Sequence, residues 1–301
     1  MWLLWLGLVL CLLAVAAAGL AAFGFKRWTD SIGVLTRGLE AARNDGTVKP
    51  PYPTHYDSHE LEGLPAPVQR YFRAVLKDGQ PIVSALTIEM AGTFNMSATA
   101  EQWKPFTSKQ RVVTRRPGFL WDAQVAMLPG LQVRVVDSYI AGKGLLHAAM
   151  LGLFKVADVG GGGEIARAEF MRFFAEAPWY PTALLPSQGV RWEAADDRSA
   201  NATIVDGPLT LTLLFRFNEA GLIDSVRSEA RGGMVGKDVV MMPWECGLSN
   251  YQARSGMTVP ITGEAAWVRP EGRNTYFIGT VTLLTYEFRG SPVRGDRIES
   301  P

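Results

Sequence analysis

From residue 86 onward apolar and polar residues alternate, and this period of two constrains the fold more than any other feature of the chain. Successive strand side chains point to opposite faces, so the alternation marks strands with one buried side. Phe119, Trp121, Ala123 and Val125 share one such face. Leu131, Val133, Val135, Asp137 and Tyr139 share a second. Leu209, Leu211, Leu213, Phe215 and Phe217 form a third, and Val259, Ile261, Gly263, Ala265 and Trp267 a fourth. Weaker alternation recurs near 86–95, 109–116, 190–195, 200–205, 222–230 and 275–288. Turn signals such as Pro117-Gly118, Pro129-Gly130, Asp206-Gly207, Ala220-Gly221 and Glu271-Gly272 separate the runs. About ten or more short strands at hairpin spacing predict a large antiparallel sheet, which has to curl or close to hide its edges. The expected class is mainly β (α+β): a curved antiparallel sheet or half-barrel over residues 60–289 with a few covering helices, plus one N-terminal transmembrane helix.

That first helix is predicted from residues 1–25, which carry no charged side chain and end at Lys26 and Arg27. A helix of this length rises roughly 37 Å, enough to cross a hydrocarbon core of about 30 Å. Trp2, Trp5 and Trp28 stand near its ends, where interfacial aromatics belong. A cleaved signal peptide needs basic residues before a shorter apolar run, and none precede this one. An uncleaved single-pass anchor, in a bacterial inner membrane, is the reading taken. Lys26, Arg27, Arg37 and Arg43 all follow the span, which favours a cytoplasmic domain.

Residues 26–59 read as a juxtamembrane helix, capped by Asp30 and stopped by Gly46, followed by the Pro-rich linker 49–53 that holds the domain off the bilayer. Val68, Tyr71, Phe72, Val75 and Leu76 mark a one-sided helix over 66–78. A further helix over 164–177 has Ala166, Phe170, Phe173, Phe174 and Ala177 on one side and Glu169, Arg172 and Glu176 on the other. Residues 290–301 read as a frayed tail.

The chemistry is sparse. At 48% hydrophobic and a net charge of +1, the chain is neither disordered nor a basic nucleic-acid binder. It lacks HExxH, CxxC, GxSxG and P-loop patterns, and no cofactor or metal is expected. His55, Asp57, His59 and Glu60 fall in a linker and read as solvated. Gly160 to Gly163 read as a hinge, because Glu164 stands where an anion would sit. Asp137 shares a face with apolar residues, so it is either paired with an arginine or used.

Several phrases resemble an uncharacterised bacterial family whose members carry an N-terminal membrane segment: LPAPVQRYF (64–72), PGFLWDAQV (117–125), PGLQVRVVDSYIAGKG (129–144), APWYPTALLPSQGVRWE (177–193) and PWE (243–245). The order of elements is also similar to the LolA and LolB type of lipoprotein-carrier fold, an unclosed barrel with a helical lid. That likeness implies an apolar cavity for acyl chains and favours a periplasmic domain.

The expectation is a membrane-anchored, non-catalytic domain that shelters a lipid or other apolar ligand. Phe119, Trp121, Leu211 and Leu213 would line its cavity, and Phe170, Phe173, Phe174, Trp179 and Tyr180 would form its lid. Two alternatives stay open. One is an enzyme with an unfamiliar polar site around Arg134, Asp137, Tyr139 and Glu245. The other is a scaffold that recognises another envelope protein.

Overall fold

The computed structural model describes residues 1–44, 53–97, 100–128, 130–235, 238–289 and 294–297. Gly46, most of the linker 49–53, Pro129 and most of the tail lie outside these. Among the described residues there are three α-helices: α1 (Trp2–Arg43), α2 (Ala66–Val75) and α3 (Glu164–Ala175). Six strands precede α3: β1 (Val83–Asn95), β2 (Trp103–Val113), β3 (Gly118–Leu128), β4 (Leu131–Ile140), β5 (Lys143–Met150) and β6 (Phe154–Gly161). Eight follow it: β7 (Arg191–Asp196), β8 (Ser199–Asp206), β9 (Leu209–Phe217), β10 (Ile223–Val235), β11 (Asp238–Arg254), β12 (Met257–Arg269), β13 (Gly272–Phe288) and β14 (Arg294–Arg297).

All fourteen belong to one sheet, in the order β6-β5-β4-β3-β2-β1-β13-β12-β11-β10-β9-β8-β7, with β14 beside β13. Every pairing is antiparallel. The sheet order keeps the two halves of the chain on opposite sides of the β1–β13 seam. β14 forms within the stretch expected to fray, pairing with Leu283–Tyr286 beyond the last β12 partner.

The alternating stripes bury one face of each strand, and right-handed twist curls so many strands into a cup. α3 sits inside that cup. It packs against β3, β4, β5 and β6 on one side and β9 and β10 on the other. Phe170 stacks on Tyr139 of β4 at 4.9 Å, and Phe174 meets Phe215 of β9 edge-on at 5.4 Å. α3 approaches β5 so closely that a Cβ at Gly144 would stand 2.5 Å from the Ile165 carbonyl oxygen. Tyr139 also spans the cup, donating its hydroxyl to Asp206 at 2.6 Å. α2 and the short 3-10 turns between Ala177 and Gln188 fill the β7–β9 half, where Tyr71, Phe72, Trp192, Phe215 and Phe217 pack ring on ring.

The N-terminal region departs from the sequence expectation. The expected anchor and the expected juxtamembrane helix are one continuous helix of 42 residues, and Asp30 is not a cap. Instead Asp30 accepts from Lys26 at 2.8 Å one turn earlier, an i,i+4 pair that bridges the expected break. Residues 28–43 lie on the convex face of the sheet. Trp28 and Leu39 are buried there with Val113, Leu120, Val136 and Ala149. The Trp28 indole donates to Asp122 at 2.9 Å, and Arg43 donates to Glu287 at 2.8 Å. The domain is therefore docked on its helix and not held away from it. The tightest point is Gly24, where a Cβ would stand 2.2 Å from the Leu151 carbonyl oxygen in the β5–β6 turn. Gly24→Leu is expected to force the helix off that turn at a cost of about 2 kcal/mol, typical of overpacking. Thermal melting of the full chain in detergent reads this as a lowered midpoint, and an unchanged midpoint refutes the packing.

Candidate functional site

A cavity of about 520 Å³ lies in the cup between α3 and the strands β10–β13. Its walls are aromatic: Trp121, Trp179, Trp244, Trp267, Tyr276 and Phe277. Hydrogen bonds lock two of these rings. Trp179 donates its indole N–H to the Pro260 carbonyl at 2.8 Å, and Trp244 donates to the Tyr276 hydroxyl at 2.9 Å. The 3-10 turn that carries Trp179 is held in turn by the Tyr286 hydroxyl, which donates to the Trp179 carbonyl at 2.7 Å.

The buried polar groups of the lining gather around α3, while Asn95, Glu164, Glu264, Arg269 and Asn274 also border the cavity. Glu169, Arg172 and Glu176 project from the same side of α3, because spacings of three and four residues return to one helix face. The sequence reading left this side apart from the apolar one. Enclosure of α3 by the curled sheet buries both. Asp137 enters from β4, directly opposite Trp121 of β3 in the register. Arg172 donates to Asp137 and to Glu176, each at 2.7 Å, and lies over the Trp121 ring at 4.7 Å. Gln110 of β2 donates to the other Glu176 oxygen at 2.6 Å. Asp137 is thus paired with an arginine, as its apolar surroundings required.

Arg231 arrives from β10, after an irregularity between Ser228 and Arg231 in the pairing with β11. It is 9% exposed, and its guanidinium lies 4.4 Å from the Trp244 ring centre. Its Nη1 has no hydrogen-bond partner. Neither have Glu169 Oε2 and Asp137 Oδ1. The Trp121 Nε1 is unpartnered as well. Buried polar atoms are normally satisfied, so four unpaired ones around one cavity are a concentrated exception. Burial raises the Asp137 carboxyl, and Arg172 works against that shift. Burial first, and the neighbouring Asp137 charge second, push Glu169 up to about 8.

The residues singled out in the sequence divide. Trp121, Trp179 and Asp137 line the cavity. Phe119, Leu211, Leu213, Phe170, Phe173, Phe174 and Tyr180 do not; they are fully buried in the main core. The reason is that α3 lies inside the cup as filling, not over it as a lid, while α2 and the 3-10 turns occupy the β7–β9 half. Tyr139 belongs to the core with its hydroxyl on Asp206. Arg134 lies near α1, its guanidinium 5.0 Å from the Phe25 ring centre. Glu245 accepts from Arg273 at 2.9 Å on an exposed part of the sheet. Arg134, Asp137 and Glu245 therefore do not converge, and the polar enzyme site built on them is set aside. Asp57 accepts from the His59 backbone at 2.9 Å, and among the described residues no cluster of His, Cys, Asp and Glu is placed to hold a metal ion.

The raised Glu169 carboxyl makes stability depend on pH. Between the ordinary 4.5 and about 8, the folded chain holds a proton that the unfolded chain has lost. Stability then falls as pH rises through that window. Glu169→Gln removes this proton, so its melting midpoint is expected to vary less than that of the parent from about pH 5 to about pH 8. Parallel thermal melts check this, and identical slopes contradict it.

No curated protein matches the chain. Among solved structures it is similar to a LolA superfamily protein from Nitrosomonas europaea, at 10% identity over 75% of this chain and 94% of that one, with a TM-score of 0.38. A family profile matches residues 62–286, which contain all five phrases noted in the sequence. The chain belongs to DUF6920, a family of unknown function.

Proposed function

We propose that this protein is a membrane-anchored, non-catalytic domain that holds a lipid or other amphiphile in the cavity between α3 and β10–β13. The observation that carries the reading is the pairing of an aromatic cavity of about 520 Å³ with a buried guanidinium, Arg231, whose Nη1 is unpartnered. The volume falls within the range of about 300–1,000 Å³ usual for ligand pockets. An acyl chain placed against Trp244, Trp267 and Phe277 gains about 0.8 kcal/mol for each CH₂ removed from water. Its polar head completes the hydrogen bonding of Arg231 and of the neutral Glu169.

Support for the anchor is compositional and spatial. α1 is the one helix among the described residues long and apolar enough to cross a membrane, and none of its most apolar window is buried in the protein.

The cavity can be blocked without touching the polar groups. Ala168 is a buried lining residue on α3. Ala168→Phe is expected to weaken binding of anthroyloxy-stearate, titrated by fluorescence, at least about tenfold, the factor that 1.4 kcal/mol makes. Arg231→Met is expected to weaken the stearate probe more than its methyl ester. Equal binding by parent and Ala168→Phe, with both chains folded by circular dichroism, rules out this cavity as the site.

A further inference from the structure

The path of α1 along the sheet fixes which end of the domain faces lipid. Arg43 sits by Ser84 at the start of β1, and Leu39 by Gly118 at the start of β3. Trp28 reaches Asp122 in mid-β3. Gly24 then meets the β5–β6 turn, and residues before it are exposed. The helix thus leaves the sheet beside the Leu128 end of β3 and the β5–β6 turn. About 22 apolar residues remain beyond that point, roughly 33 Å of helix, which matches one hydrocarbon core. No spacer separates span from domain, so the Leu128 end and that turn stand at the depth where α1 enters the membrane.

Their side chains suit that depth. Leu128 is 64% exposed, and Phe154 and Val156 are each 58% exposed. Lys155 stands between Phe154 and Val156 in sequence, Lys26 and Arg27 follow closely after Gly24 on α1, and Arg134 lies over Phe25. Exposed apolar tips among cations are what a headgroup layer accepts. The edge strand β6 continues inward from there. Its pairing sets Phe154 opposite Met150, Ala157 opposite Ala148 and Val159 opposite Leu146. Directly paired residues share a face, and Leu146 and Val159 line the cavity. One apolar row therefore runs from the exposed turn to the cavity wall.

We propose that the Leu128 end of β3 and the β5–β6 turn rest in the lipid headgroup layer beside α1, and that the row Phe154, Ala157 and Val159 on β6 is the path by which a lipid passes between bilayer and cavity. The docking rests on α1 being a membrane span, and the path on the cavity being the ligand site. The test uses the full chain in vesicles of phosphatidylethanolamine and phosphatidylglycerol, with Cys11→Ser in the background. Burial pushes the Cys246 thiol up to about 12, which keeps it out of the labelling reaction. Nitroxide labels are placed one at a time by Leu8→Cys, Leu128→Cys, Phe154→Cys and Lys143→Cys, the last in the turn at the far end of β4 and β5. Collision with an aqueous nickel complex is expected to be severalfold lower at 128 and 154 than at 143, and lowest at 8. If 128 and 154 are as accessible as 143 while 8 stays protected, the docking is overturned and the anchor stands. If 8 is as accessible as 143, the anchor itself falls. For the path, Phe154→Glu is expected to slow uptake of a nitrobenzoxadiazole-labelled lipid from vesicles severalfold, leaving binding of anthroyloxy-stearate in detergent unchanged. Uptake at the parental rate overturns the path. Loss of stearate binding as well shows that Phe154 acts on the cavity and overturns it equally.

Discussion

Burial of the Arg172 guanidinium is the interaction on which the arrangement of the cup depends. The group is removed from water at the centre of the fold, where an unpaired charge would be intolerable. Burial works against its charge and is outweighed by Glu176 and Asp137, so Arg172 stays ionised. Asp137 comes from β4, Glu176 from α3 itself and Gln110 from β2. Those contacts fix the rotation of α3 about its own axis. With that rotation set, Phe170 is directed to Tyr139 and Phe174 to Phe215, which joins the β4 and β9 sides through one helix. Removing one partner of such a buried pair costs about 3–5 kcal/mol. Few interactions in the molecule hold so many distant elements.

The same constraint leaves the cavity where it is. The apolar side of α3 is spent on the β4 and β9 walls, and its polar side turns toward β10–β13. Large side chains cannot close that gap without burying carboxylates against hydrocarbon. The rings of Trp179, Trp244 and Trp267 line the space instead, two of them pinned through hydrogen bonds or ring contact with Tyr276. Three carboxyl groups and two guanidinium groups then share one wall.

Much of this architecture is legible in the sequence, because it follows from periodicity. Leu209 to Phe217 could form no other element with all five large residues on one side, and β9 has that range. The apolar side of α3 and the helix expected over 66–78, which ends at Val75, are equally readable. The cavity was not. Alternation says that Leu211 and Trp121 face the concave side, but only the position of α3 and α2 decides that one is covered and the other lines a space. Arg231 left no signal, since its place follows from an irregularity in the β10–β11 ladder. Glu169, Arg172 and Glu176 carried a misleading one: charges repeated on one helix face ordinarily meet water. The hint lay in Asp137, an acid on an apolar face that needed a cation from elsewhere. At the N-terminus, Lys26 and Asp30, the expected end of the span and cap of the next helix, form a helical ion pair, and the close-packed crossing at Gly24 shows only in its contact with Leu151.

Trp121, Arg231, Glu169 and Asp137 place unpaired polar atoms in the cavity lining. Each unpaired buried polar atom costs about 1–3 kcal/mol relative to a satisfied one, and a natural fold retains such atoms where something else recovers the loss. A ligand head that bonds them recovers it on binding, so occupancy and folding stability are linked. The ring walls are already in place and need no rearrangement, and their apolar area adds to the gain. Under the proposed binding function, the loaded domain is stabilised over the unloaded one, and Arg231 and Glu169, which take no part in the Arg172 pairs, contribute to that difference. Chemistry separates this space from a plain packing defect: a defect is apolar, whereas unpaired nitrogens of Trp121 and Arg231 and carboxyl oxygens of Asp137 and Glu169 belong to this lining.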